Sequence, residues 1–108
     1  MSAYLLIESR DPFEWSDVTR TYELALQLRA AGHEVALFLV QNAVLPVRAG
    51  SRRTGLDKFN STGIEVLADE FSLRERGIGT TALVSGIRPA SIDFVVERMA
   101  AGWKTLWH

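Results

Sequence analysis

The run Val35 to Val40 constrains this chain more than any other stretch. It is continuously apolar, and a strand of that kind is buried on both faces, as in a parallel sheet. Parallel neighbours cannot be joined by tight hairpins; each needs a crossover, usually a helix. The rest of the sequence supplies both parts. Ala3 to Ile7 and Ile64 to Ala68 are further short apolar runs, each breaking abruptly into polar residues. Val18, Tyr22, Ala25 and Leu26 recur at helical spacing, with Leu28 widening the stripe and Gly32 placed to end the helix. Ser16 is placed to cap it, with Asp17 in the first turn.

Asn42 is placed to cap a helix over 43–49, and Thr54 a short helix carrying Leu56 and Phe59. A turn or two of helix is expected over 71–76, stopped by Gly77. Residues 79–90 are ambiguous between strand and helix, and Pro89 would put a strand there at an edge. Ser91 opens a helix with Ile92, Val95, Val96 and Met99 on one side. Trp103 to Trp107 closes the chain as a strand, with Trp103, Thr105 and Trp107 sharing a face. The expected class is α/β: a three-layer α/β/α sandwich around a central parallel sheet of about five strands. A chain of 108 residues is the size of one domain, 1–108.

Composition removes several function classes. The chain has no cysteine, which excludes disulfides, thiolate metal sites and thiol nucleophiles. Formal net charge is −1, which argues against nucleic acid as a partner. Basic residues gather locally: Arg48, Arg52, Arg53 and Lys58 stand against Asp57 alone, read as a solvated segment. The N-terminus lacks the pattern of a signal peptide, and no stretch reaches transmembrane length, so a cytoplasmic location without membrane attachment is expected. The histidines, His33 and His108, stand in no ligand-spaced motif, so no metal is expected. No glycine-rich loop follows the first strand, and no nucleophile elbow is present; no cofactor and no catalytic residue is assigned.

Ligands of parallel α/β sheets bind outside the carboxyl ends of the strands. Those ends carry Glu8, Ser9, Arg10 and Asp11 after the first strand, then Gln41 and Asn42 after the second. The third contributes Asp69, Glu70 and Ser72, and His108 follows the last. The candidate ligand site is Arg10, Gln41, Asn42, Asp69, Ser72 and Arg76. The bland alternative for Arg74, Arg76, Glu70 and Glu75 is a solvated ion-pair face. Trp15, Trp103 and Trp107 are core or subunit-contact residues. A phospho-receiver reading can be built from Glu8, Asp11, Asp69, Ser85 and Lys104. However, Lys104 falls inside the last strand rather than at its end.

The segments YLLIESRDP, AGHEVALFLVQNAVLPVRAG, GIEVLADEFSLRERGI and SIDFVVERMAAGWKTLWH together resemble the DsrE/DsrF/TusD-like family over essentially the whole chain. The resemblance implies a cytoplasmic protein that assembles as a homo-oligomer (dimer, trimer or hexamer) or with other DsrE-like chains. It also implies a place in sulfur relay or sulfur oxidation. In that family a cysteine just after the third strand carries a persulfide. Here the region reads Asp69-Glu70-Phe71-Ser72. A serine hydroxyl forms no persulfide and ionises far above a thiol. The expectation is a cysteine-free DsrE-like protein acting as a non-catalytic binding or structural subunit. A small-anion or small-ligand-binding domain is the second reading, and the phosphoacceptor the third.

Overall fold

The computed structural model describes residues 2–51 and 54–108. Arg52 and Arg53 of the basic segment lie outside the described residues. Five strands form one parallel sheet: β1 (Ala3–Glu8), β2 (Glu34–Leu39), β3 (Glu65–Asp69), β4 (Ile87–Ala90) and β5 (Lys104–Trp107). Their order across the sheet is β4-β3-β2-β1-β5. Three α-helices accompany them: α1 (Val18–Ala30), α2 (Glu70–Glu75) and α3 (Asp93–Ala100).

The order explains which face each helix covers. From β1 to β4 the chain steps steadily toward one edge; from β4 to β5 it returns to the other. Crossovers are right-handed, so reversing the direction of travel puts the returning helix on the opposite face. Accordingly α1, α2 and the two 3-10 segments pack on one face, through Val18, Tyr22, Val44, Val47, Phe59 and Leu73 against Leu6, Leu37 and Val66. Among the described residues α3 covers the other, where Val95 and the half-buried Phe94 and Trp103 meet Leu5, Ile7, Ala36 and Phe38. The continuous run in β2 is buried on both faces because successive residues belong to different cores: Val35, Leu37 and Leu39 to the first, Ala36, Phe38 and Val40 to the second.

Several local expectations change. The α1 N-terminus carries no side-chain cap; the Ser16 carbonyl instead accepts from the N–H and hydroxyl of Thr19. The segment after β2 is a 3-10 helix over Gln41–Val47 rather than an α-helix capped by Asn42. Pro46 is its sixth residue, beyond the four positions where a missing N–H is harmless, so a regular α-helix is disfavoured there. Thr54 does accept from Leu56 N–H at 3.3 Å ahead of the second 3-10 segment, Leu56–Phe59. Residues 79–86 form turns, with Leu83 making one antiparallel bridge to Arg48, and β4 is an edge strand containing Pro89. In α3 the expected apolar side divides: Val95 is buried, whereas Ile92, Val96 and Met99 are exposed.

Among the described residues no helix is long and apolar enough to cross a membrane.

Candidate functional site

The strand exits gather on one edge of the sheet, as the parallel topology requires, but they form two separate clusters. The first joins the exits of β2 and β3. Asp69 leaves β3 and caps α2: its Oδ2 accepts from Ser72 N–H at 3.0 Å and from the Ser72 hydroxyl at 2.7 Å. The Ser72 oxygen in turn accepts from the backbone N–H of Gln41 at 2.8 Å. Ser72 is only 3% exposed. Arg76 then closes the cluster from outside. Its Nε and Nη2 both donate to Asn42 Oδ1, at 3.1 and 3.0 Å, and its Nη1 donates to the Ser72 carbonyl.

Five of the six candidate residues, Gln41, Asn42, Asp69, Ser72 and Arg76, are therefore brought together. They are brought together as partners of one another. The Ser72 hydroxyl donates once and accepts once, and the Asn42 acceptor is filled by a guanidinium fork. The chemistry of this arrangement is bracing: it ties the 3-10 segment to α2. Gln41 adopts φ +52, a left-handed conformation unusual for a residue with a side chain, and its N–H points at Ser72. Beside the brace, Asp69, Glu70, Phe71, Arg74, Ser91 and Ile92 line an open groove of about 430 Å³.

Arg10, the sixth candidate, belongs to the second cluster, at the exits of β1 and β5. There it pairs with Asp17 at 3.3 Å and lies over the Trp15 ring at 4.5 Å. The centre of that cluster is Glu8, which is fully buried. Its Oε2 accepts from the backbone N–H groups of Ser9 and Arg10, and its Oε1 meets His108 Nδ1 at 2.7 Å. The other ring nitrogen of His108 faces Asp17 Oδ2 at 3.2 Å. His108 thus bridges the two acidic side chains, one at each ring nitrogen, with the donor at each contact set by the ring's tautomer. Asp11, also buried, accepts from the N–H groups of Phe13 and Glu14 and closes the loop after β1.

The Tyr22 hydroxyl is buried with no hydrogen-bond partner among the described residues. Burial, reinforced by the Glu8 and Asp11 carboxylates, pushes the phenol well above its ordinary value of 10.0. Next to this corner, Leu6, Leu24, Leu106 and Trp107 share a groove of about 370 Å³ with Asp17, Arg20, Thr21 and His108. Sequence reading placed Glu8 and His108 at strand exits but missed that Asp17, read as a helix-start residue, joins them. The strand order, which makes β5 the neighbour of β1, is what unites the three.

Among the described residues no group of histidines and carboxylates is arranged to hold a metal ion. The sheet order also differs from the 2-1-3-4-5 order of receiver domains, and Lys104 lies at the start of β5, away from Asp69.

No family model and no curated protein matches the sequence. Solved structures do. The crystal structure of the ychN protein from E. coli superimposes with a TM-score of 0.90 at 19% identity, covering 100% of each chain. The two share one fold. A protein of unknown function from Methanobacterium thermoautotrophicum, MTH1491, matches with a TM-score of 0.80 at 20% identity, over 97% of this chain and 99% of that one. At such identity the likeness concerns the fold alone: an α/β architecture with a five-stranded parallel sheet.

Proposed function

We propose that this chain is a non-catalytic, DsrE-like binding or structural subunit associated with sulfur metabolism. The observation that carries the non-catalytic part is the state of Ser72. In the region where DsrE-like proteins are expected to hold their thiol, this chain has a buried hydroxyl held between Asp69 and Gln41. A group so placed neither reaches a substrate nor takes up sulfane sulfur, and the chain has no cysteine to do so elsewhere. The subunit part is supported by exposed apolar side chains: Ile92, Val96 and Met99 along α3, with Phe71 beside them, and Leu106 and Trp107 on β5. The link to sulfur metabolism rests on the sequence resemblance and the fold.

Incubation with a persulfidated donor protein followed by intact-mass analysis tests this reading. No mass gain is expected on this chain; a stable gain of one sulfur atom would overturn it. The small-ligand reading keeps one favourable observation, the open groove flanked by Arg74 and Ser91. A thermal-shift response to small anions that disappears in Arg74→Ala would favour it.

A further inference from the structure

The direction of travel across the sheet reverses once, between β1 and β5. Open α/β sheets bind ligands outside the carboxyl ends of their strands, at the point where the strand order reverses. The exits of β1 and β5 are also where Glu8, Asp17 and His108 meet, apart from the braced cluster at the β3 exit.

A groove opens at this corner for a structural reason. Leu6 and Leu106 are register partners in the parallel pair of β1 and β5, so they stand on the same face of the sheet. Leu6, packed beneath α1, is 1% exposed, whereas Leu106 is 46% exposed. The cover given by α1 therefore ends between them, and α1 and β5 become the two walls of the groove. Asp17, Arg20, Thr21 and Leu24 line the first wall at i, i+3, i+4 and i+7, one side of the helix. His108 lines the groove at the carboxyl end of β5. Its ring is held by Glu8 and Asp17, and its backbone by Ile7 and Ser9, so this end is fixed in advance. The groove holds about 370 Å³, which is the lower part of the range of about 300–1,000 Å³ used for small ligands.

The lining determines what would fit. Leu6, Leu24, Leu106 and Trp107 supply an apolar surface. Asp17 adds an acceptor that is not satisfied internally. Its Oδ2 serves both Arg10 and His108, whereas its Oδ1 is buried with no hydrogen-bond partner among the described residues. An unpaired buried carboxylate oxygen costs stability, and a donor brought by a ligand recovers that cost. Arg20, three residues further on, is exposed and forms no ion pair among the described residues. An acceptor and a guanidinium about one helical turn apart, beside an apolar wall, match a molecule that carries both charges and an apolar group.

We propose that the groove between α1 and β5 binds a small zwitterion with an apolar side chain, of the class of free apolar amino acids. Asp17 receives its ammonium, Arg20 its carboxylate, and Leu24, Leu106 and Trp107 its side chain. The inference goes beyond the subunit reading and uses a different edge of the site.

Leucine is the probe, because it has the required groups and no fluorescence of its own, so Trp107 reports on the groove. A saturable change in tryptophan emission is expected. Isoamylamine lacks the carboxylate and isocaproate lacks the amine; each is expected to bind at least tenfold more weakly. Arg20→Ala and Asp17→Asn are each expected to weaken leucine binding at least tenfold with circular dichroism unchanged. Arg74→Ala, in the groove at the β3 exit, is expected to leave it intact. Arg20 is exposed, so its substitution is decisive on its own should Asp17→Asn disturb the corner. No saturable response to leucine at any soluble concentration, equal binding of either truncated analogue, or unchanged binding by a folded Arg20→Ala chain would each overturn the inference. Loss of binding in Arg74→Ala would overturn it in favour of the β3 groove. None of these outcomes touches the non-carrier reading, which is decided by the persulfide mass measurement.

Discussion

Glu8 Oε1 and His108 Nδ1 lie 2.7 Å apart, although a hundred residues separate them in sequence. The contact fastens β5 to the centre of the sheet at its carboxyl end. The fully buried Glu8 carboxylate relies on it, because its remaining partners among the described residues are the N–H groups of Ser9 and Arg10. His108→Ala leaves Glu8 Oε1 buried without that donor. A loss of about 1–3 kcal/mol is expected, read by urea denaturation. Asp17→Asn, which alters the more exposed partner, is expected to cost well under half as much.

Ser72 offers a second test. Its hydroxyl satisfies Asp69 and Gln41 at once in a buried position. Ser72→Ala is expected to destabilise the fold by about 1–3 kcal/mol while leaving any anion-induced thermal shift unchanged. A variant that retained full stability but lost a ligand response would reassign Ser72 from brace to binding group.

Gln41 carries strain that can be measured. Left-handed backbone costs a residue with a Cβ about 1–2 kcal/mol, and the Gln41 side chain is exposed. Gln41→Gly relieves that cost and keeps the N–H that bonds Ser72. Stabilisation by roughly 0.5–1 kcal/mol is expected, visible as a higher denaturation midpoint at unchanged slope.

Tyr22 gives a pH prediction. Its folded-state ionisation is raised above 10.0, first by burial and then by Glu8 and Asp11. A group raised in this way contributes fully below its unfolded value, and the contribution is lost as pH climbs from that value toward the folded one. Stability should therefore begin to fall near pH 10, where the unfolded phenol ionises and the folded one does not. Tyr22→Phe removes this dependence. It also removes a buried hydroxyl that lacks a partner among the described residues, so stability at pH 7 is expected to hold or rise. Urea midpoints at pH 7 and pH 10.5 for the two proteins check both statements.

The elements were legible where one physical cause acted alone. The apolar run of β2 had to be doubly buried, and the spacing of Val18, Tyr22 and Ala25 had to face a core. Gly32, at φ +94, ends α1 as its position suggests, because glycine adopts that conformation without steric cost. Elements went astray where neighbours decided. Asn42 could cap a helix in principle, but Arg76, brought in from α2, claimed its oxygen. Ile92, Val95, Val96 and Met99 read as one apolar side, yet α3 meets the sheet through Val95 and the half-buried Phe94 and leaves the other three exposed.

The candidate site divides along the same line. Asp69 and Ser72 are three residues apart, so their hydrogen bond is local chemistry, and the run from β3 into α2 was enough to place them together. That Gln41 completes Ser72, and that Arg10 stands apart, depends on which strands are neighbours. The sequence by itself determined the parallel α/β class, the exits of the strands as the place for polar chemistry, and the lack of any thiol. Only the tertiary structure decided that the polar residues at the β3 exit satisfy one another, that Glu8, Asp17 and His108 meet, and that β5 pairs with β1 at the edge of the sheet. The reason is physical. Burial and backbone periodicity are written in the order of residues, whereas hydrogen-bond satisfaction depends on which distant groups the strand order makes adjacent.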